Sequence, residues 1–317
     1  MAGQFTWTYD VDSGVYKSRE ISDNLRFAAI ADTKVMQFVR TEPGFGKKKG
    51  ETMTIERIRN IVVPGSAVLT EGTRIPVDQF LMSSVAITIQ EYGRAVEFTS
   101  LVNDLSKFDL EKPIQRKLKD QMKLILDVTA MAAFKLAKVC FYATSLTGGT
   151  FTLNGTPGGQ ALQNMTVQHM GLIRDHMQDT LHVPPYEGDD FIGLMSTKAL
   201  RGIKNDPDFA FWRQYLKPGD VLFNSEVGKV ETIRCIEINY ASTLSKSIGA
   251  AGIAGEAIIF GEDGVVMIEV ETPDLRAAIP GDFGRSKAVA WYGVLAFGLV
   301  WDTGNDGEAR VYRVTST

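Results

Sequence analysis

Apolar residues recur at helical spacing through residues 111–141, where Ile114, Leu118, Met122, Ile125, Leu126, Ala133, Leu136, Ala137 and Cys140 form one stripe. Pro113 suits a first helical position, and the pattern predicts one unusually long helix. At ~1.5 Å per residue such a rod is roughly 40 Å long. Before it, over residues 51–100, the period drops to two. Met53, Ile55 and Arg57 alternate with Thr54 and Glu56, and Val85, Ile87 and Ile89 alternate with Ala86, Thr88 and Gln90. These read as half-exposed strands, joined by a long turn-rich connection over 63–76. Tyr92 and Gly93 interrupt the pattern before Val96 and Phe98 resume it. A two-stranded ribbon is marginal alone, so this one needs a surface to rest on. A sister copy is the expected surface, although a third strand of the same chain meets the same need.

The rest of the chain mixes both periods. Residues 23–38 suggest a short helix capped by Ser22 or Asp23, with Leu25, Phe27, Ile30, Val35 and Phe38 as anchors. The run Lys47-Lys48-Lys49 then reads as a basic tether ending an arm that lies on something else. After the long helix, glycines at 148, 149, 155, 158 and 159 predict a mobile loop or flap. Residues 165–180 read as a helix burying Met170, Ile173 and Met177. A core strand follows at 191–195, a short helix at 197–204, and an aromatic cluster at Phe209, Phe211, Trp212, Tyr215 and Leu216. One strand is expected at 230–238, little unique structure at 241–255, and further strands at 257–260, 265–270, 288–297 and 309–314. The order of elements predicts an α+β protein.

Composition narrows the function classes. The 317 residues are 44% hydrophobic, enough to bury a real core. A net charge of −4 argues against a surface that is wholly a nucleic-acid footprint. The opening residues lack a basic cap and an apolar run, so no signal peptide is expected, and the most apolar window, 288–301, is too short to span a bilayer. With two cysteines, Cys140 and Cys235, buried free thiols are expected over a disulfide scaffold, and the chain reads as intracellular. Charge is unevenly placed. Lys112, Arg116, Lys117, Lys119, Lys123, Lys135 and Lys138 crowd the long helix, whereas Glu256, Glu262, Asp263, Glu269, Glu271 and Asp274 crowd 256–276. Each run taken singly solvates an ordinary surface; taken together, copies meet opposite signs, or the basic side faces packed nucleic acid.

Catalytic chemistry finds little support. His169 and His176 share a helical face but lie two turns apart, about 10 Å, too far for one zinc, and both read as helix-surface residues. The stretch 44–50 lacks the Gly-Lys-Ser/Thr ending of a phosphate loop. Asp302-Thr303-Gly304 has too little chain after it for an aspartic-protease lobe and reads as a turn. The sequons at Asn154 and Asn164 have no secretory context, and no nucleophile–base pair is visible. No catalytic, cofactor-binding or metal-binding residues are assigned, and the chain is not expected to be an enzyme.

The segment Ile87-Thr88-Ile89-Gln90-Glu91-Tyr92-Gly93-Arg94-Ala95-Val96-Glu97-Phe98-Thr99 leads into the long helix. Together with Gly281-Asp282-Phe283-Gly284-Arg285, Trp291 and 309–314, it resembles the major capsid proteins of tailed bacteriophages with the Hong Kong 97-type fold. The closer likeness is to the branch typified by coliphage N-four. The resemblance implies an N-terminal arm at 1–50 and an extended β-hairpin loop at 51–99. It implies a peripheral domain at 100–184 and 256–317, with the spine helix at 111–141, and an axial domain at 185–255. It further implies hexamers and pentamers of an icosahedral head around double-stranded DNA. Scaffolding and portal proteins, a decoration protein and non-specific contact with DNA are the other implied partners, with no membrane and no cofactor. Its implied place is the virion capsid, assembled in the host bacterial cytoplasm. A non-viral, encapsulin-like shell of the same fold is the alternative, and an enzyme with a mobile flap a lesser one. On this reading Met53, Ile55, Val85, Ile87 and Ile89 lie across an adjacent subunit. Arg57, Arg59, Glu71, Arg74, Glu91 and Arg94 are candidates for interface charge pairs. Ile87→Asp is then expected to leave a soluble chain that forms no particles.

Overall fold

A computed structural model of the chain describes residues 33–42, 46–61, 66–106, 109–206, 226–240, 243–279 and 285–317. Along the chain run β1 (Arg40–Glu42), β2 (Thr52–Ile58), β3 (Met82–Thr88), β4 (Gln90–Thr99), α1 (Ser100–Leu105), α2 (Glu111–Phe134), β5 (Val139–Ala143) and β6 (Gly149–Thr152). They are followed by α3 (Val167–Asp175), β7 (Phe191–Ser196), α4 (Thr197–Lys204), β8 (Glu226–Val230), β9 (Ile233–Ile238), β10 (Ala257–Phe260), β11 (Val265–Ala277), β12 (Ser286–Leu299) and β13 (Val311–Val314). The described strands make three sheets: β1-β11-β12-β4, β6-β5-β13-β10-β7-β9-β8, and the separate ribbon β2-β3.

The long helix is real but shorter than its periodicity suggested. α2 has 24 residues, about 36 Å at ~1.5 Å each, and ends at Phe134. Beyond it, Val139-Cys140-Phe141-Tyr142 pairs with β13 and β6; a β-branched and aromatic run with strand partners on both sides outweighs continued helical spacing. Pro113 is the third helical residue, still within the first turn, where its missing N–H leaves no intrahelical bond unmade. The first half of the stripe packs on one face of the four-stranded sheet. Leu118, with Ile114, Met122 and Ile125, lies against Val289 and Trp291 of β12, Tyr92 and Phe98 of β4, and Leu275 of β11. The second half, Ala130, Met131, Ala133 and Phe134, enters the core of the seven-stranded sheet beside Ile258, Phe260 and Val311. One helix therefore serves both sheets.

Strand β7, Phe-Ile-Gly-Leu-Met-Ser, is buried at every position because both faces of its sheet are covered. Phe191 and Met195 join α3 and α4 in one cluster; Ile192 and Leu194 join the end of α2 in the other. Buried charge ties the layers together. The fully buried Asp127 carboxylate of α2 accepts the backbone N–H groups of Val35 at 2.7 Å and Met36 at 3.0 Å, capping a 3₁₀ turn at Met36–Phe38. Glu256, 2% exposed, accepts Lys135 at 2.8 Å, Arg313 at 3.0 Å and the Ser245 N–H at 2.9 Å.

Several expectations change. In the part of the predicted N-terminal helix that is described, 33–38, Val35 and Phe38 are core anchors, and β1 joins β11 in parallel; residues 22–32 lie outside the described residues. The glycine-rich stretch 145–160 contains β6, which forms a hairpin with β5, and a Cβ at Gly149 would enter the Phe141 ring. Residues 226–238 hold two strands, turned at Glu231 and Thr232, both with positive φ. Leu244 and Ala254 are buried in a segment expected to demand little structure. Strands β7, β8 and β9 share one sheet with β5, β6, β10 and β13, so 185–255 is not set apart from its flanking segments. The aromatic cluster at 209–216 and the residues 281–284 lie outside the described residues.

Candidate assembly interface

The β2–β3 ribbon pairs in register from Thr52 with Thr88 to Ile58 with Met82. Its alternating pattern is real: Met53, Ile55, Arg57, Val85, Ile87 and Ile89 point one way, and their neighbours are exposed. That inner face packs on the chain's own four-stranded sheet, not on empty space. Ile87, 6% exposed, sits with Val266, Ile268, Ala296 and Val300, and Met53, Ile55 and Ile89 pack around it. The expectation that this face lies across a neighbour is therefore corrected: the third layer is internal, as is Ile87. Gly298 makes the close approach possible, since a Cβ there would fall 2.6 Å from Cγ1 of Ile87.

Two arginines pin the ribbon's end to the C-terminal segment. Arg57, 7% exposed, donates to the Val300 carbonyl at 2.8 Å and to the Asp302 carboxylate, and its guanidinium lies 5.9 Å from the Trp301 ring. Arg59 donates to Glu308 at 2.7 Å, and Thr303 (2.8 Å) and Asn305 (3.1 Å) donate to the other Glu308 oxygen. Burial alone would push the Glu308 carboxyl up; these three hydrogen bonds outweigh it and hold the group below the usual carboxylate range. Sequence reading named both arginines but not Asp302 or Glu308. Asp302-Thr303-Gly304 was read as a turn, and spacing carries no sign of a bond spanning more than 240 residues.

Past these pins the described residues 60–61 and 66–81 are exposed and carry no regular secondary structure. Ile61, Val68, Leu69, Ile75, Val77 and Phe80 are all exposed, Val68 at 88% and Val77 at 79%. Glu71 and Arg74 sit within 66–81, also exposed. This density of exposed apolar side chains on one projection is what a protein surface carries where it is to be covered.

The remaining candidates, Glu91 and Arg94, are on β4, which runs straight through Tyr92 and Gly93 as the edge strand of the four-stranded sheet. A Cβ at Gly93 would meet the Trp291 carbonyl at 2.9 Å, so the glycine marks close strand contact, not a turn. The short helix α1 then intervenes before α2, with Leu101, Val102 and Leu105 exposed. Arg94 pairs with Trp291 and so lies on the α2 side, whereas Glu91, opposite Val294, lies on the ribbon side. The structure does not bring these two charges together.

Among the described residues no group of three or more His, Cys, Asp or Glu side chains could hold a metal ion. The reading of two histidines as surface residues is corrected: His169 lies in the core and His176 is half-buried. His169 is fully buried; its Nδ1 accepts the Thr166 N–H at 3.1 Å in a capping box, and its Nε2 lies 2.9 Å from the Ser145 carbonyl. His176 stacks on Phe151 at 3.9 Å and meets the Tyr312 hydroxyl at 2.8 Å. Burial lowers the pKa of both imidazoles. Cys140 and Cys235 are buried free thiols, the second pushed up to about 12 by burial. Among the described residues no helix is long and apolar enough to cross a membrane.

The chain matches no protein-family profile and no curated protein sequence. Its backbone is similar to solved phage capsids over essentially full length. The capsid of Helicobacter pylori bacteriophage KHP30 superposes with a TM-score of 0.72 at 11% identity, covering 99% of each chain. Cyanophage Pam1 gives 0.69 at 14% identity, covering 100% of this chain and 99% of that one. The capsid of Ralstonia phage GP4 gives 0.67 at 13% identity, covering 98% and 99%. The chain has the Hong Kong 97-type phage capsid fold, α+β with an extended hairpin loop and a long spine helix.

Proposed function

We propose that this chain is the major capsid protein of a tailed phage, self-assembling as hexamers and pentamers into an icosahedral head that encloses double-stranded DNA. The observation that carries the reading is the hairpin: its base is fastened into its own subunit, and its tip leaves Val68, Leu69, Val77 and Phe80 uncovered. A sister subunit is the cover that repeats with the lattice. The similarity to phage capsids supports this placement and does not favour the encapsulin-like alternative. The seven-stranded sheet is the body we assign to the axial domain, and the four-stranded sheet with α2 to the peripheral domain. Placement in the N-four-like branch rests on the 87–99 segment. Scaffolding, portal and decoration proteins are its expected partners and the host cytoplasm its expected place of assembly; its role is structural, without catalysis.

The interface candidates divide accordingly. Glu71 and Arg74, on the tip, and Glu91 and Arg94, on the edge strand, remain candidates for contact between copies. Met53, Ile55, Arg57, Arg59, Val85, Ile87 and Ile89 act indirectly, by setting where the tip points. The test is the double substitution Val68→Asp with Val77→Asp in the full chain. Melting temperature should be unchanged, and electron microscopy should show closed shells for the parent chain and none for the variant. Normal shells from the variant would refute the tip as the contact, and a parent chain that stays monomeric at high concentration would refute the capsid reading itself.

A further inference from the structure

We propose that the outward face of α2 is where the shell wall meets the phosphate backbone of duplex DNA, a reading that rests on the capsid assignment above. Lys112, Arg116, Lys119 and Lys123 recur at i, i+4, i+7 and i+11, which places all four on the face opposite Ile114, Leu118, Met122 and Ile125. All four are exposed. Among the described residues no carboxylate pairs with Lys112, Lys119 or Lys123, while the neighbouring Lys117 is matched to Asp120 at 3.8 Å. Arg94 adds a fifth cation on the same side of the sheet. This concentration stands out in a chain whose net charge is −4.

The opposite side of the wall has the opposite sign. By strand register Glu91 and Glu97 of β4, and Glu271 and Asp274 of β11, lie on the side that carries the hairpin. The wall is therefore polarised, acidic where the hairpin reaches out and basic behind α2. A second copy's acidic face is a poor match for the basic ladder, because Glu271 and Asp274 are already paired to Arg276 and Glu271 also to Lys47. A polyanion fits better. Lys112 to Lys123 spans about 17 Å at ~1.5 Å per residue. Duplex DNA carries one charge per ~1.7 Å, so about ten phosphates pass that length and all four cations find partners. Three of the four are lysines, point charges on flexible stems set along a straight helix side, which suits backbone contact without reading of bases.

The experiment uses the full chain, unassembled, and a fluorescent duplex of arbitrary sequence, with binding followed by anisotropy at rising salt. For the quadruple variant Lys112→Gln, Arg116→Gln, Lys119→Gln, Lys123→Gln, the slope of log K against log salt should become shallower by about 3.6, from four phosphate contacts at ~0.9 each. Glutamine keeps helix propensity close to lysine and arginine, and an unchanged melting curve verifies the fold. Glu91→Gln with Glu97→Gln on the far face should leave the slope unchanged. Closed shells formed without DNA should not bind added duplex, because the ladder faces the lumen. An unchanged slope in the quadruple variant overturns the proposal, and so do closed shells that bind duplex as well as free chain does. A variant that loses shells yet keeps its DNA slope also overturns it, by assigning the ladder to contact between copies. Should the parent chain form no shells, the capsid reading fails, while the slope still decides whether this face binds DNA.

Discussion

The contact between Ile87 and Gly298 decides how the hairpin is held. Ile87 is 6% exposed and fills the space left by the missing side chain of Gly298. Gly298→Ala places a methyl 2.6 Å from Cγ1 of Ile87 and closer still to Cδ1, so most of the isoleucine side chain is in the way. Gly298 is held in the ladder with β11, opposite the buried Val266, so the ribbon is the layer that lifts. Overpacking of this kind costs about 1–3 kcal/mol. Ile87→Ala acts oppositely, opening a cavity at a cost of about 2–5 kcal/mol. Combined, each substitution relieves the other, since the new methyl enters the space the isoleucine left. The double variant should lie at least ~1 kcal/mol below the sum of the singles.

Amide hydrogen exchange reads this locally. In either single variant the amides of β2 and β3 should lose protection, about tenfold for each ~1.4 kcal/mol, while α2 and the seven-stranded sheet keep theirs. The double variant should recover at least part of the loss. Additivity within ~0.5 kcal/mol would refute direct contact between the two sites. Equal loss of protection across the whole chain would refute the ribbon as a separately attached layer. Ile87→Asp is reassigned by the same geometry: it buries a charge inside the subunit, so missing particles would report a loosened hairpin base and not a lost contact between copies.

Three other outcomes follow from buried charge. The Glu308 carboxyl is held below its unfolded value of ~4.3, so its support for the hairpin is complete above that pH and lost as pH falls through the folded value. Hydrogen exchange of β2 and β3 should accelerate under acid, and Glu308→Gln should weaken that response. Asp127→Ala strips the acceptor from the Val35 and Met36 N–H groups, at about 1–3 kcal/mol for each donor left unpaired, measured by urea unfolding. Glu256→Gln leaves Lys135 and Arg313 facing each other without their carboxylate; a loss of about 3 kcal/mol is expected by urea unfolding, near the lower end for a broken buried pair because both cations are a quarter exposed.

What the sequence disclosed and what it hid divide along range. The α2 stripe, the two-residue alternation of β2 and β3, and the run 197–204 with its Ser196 cap are set by neighbours in sequence, and each is where the pattern put it. The end of α2 was misplaced because Ala137 and Cys140 continue a helical spacing, although Ala137 lies past the helix end and Cys140 belongs to a strand whose partner is β13, some 170 residues away. The ribbon's inner face was legible as apolar, but periodicity cannot say which surface covers it; a sheet built from β11 and β12 near the C-terminus does so. Asp127 lies on a helix whose other charges are solvated, and no local signal marks it as the cap of a turn 90 residues earlier. His169 shows a trace of its role in Thr166-x-x-His169, a capping-box spacing with histidine in place of the usual Glu or Gln.

An anchored base with a free tip has a thermodynamic reason under the capsid reading. Strands β2 and β3 have seven residues each, and ordering a residue costs about 1–2 kcal/mol of backbone entropy. Were the ribbon loose until it met a neighbour, roughly 14–28 kcal/mol would have to come from that single contact. A contact strong enough to supply it would bind irreversibly, because non-covalent affinities saturate near about 18–21 kcal/mol. A lattice built from such contacts could not release a misplaced subunit. Packing Ile87 under Gly298 and fixing Arg57 and Arg59 to Asp302 and Glu308 settles that cost while the subunit folds. The tip then docks as a pre-aimed arm, ordering only itself, and its contact can stay weak enough to break and reform until every position is correct.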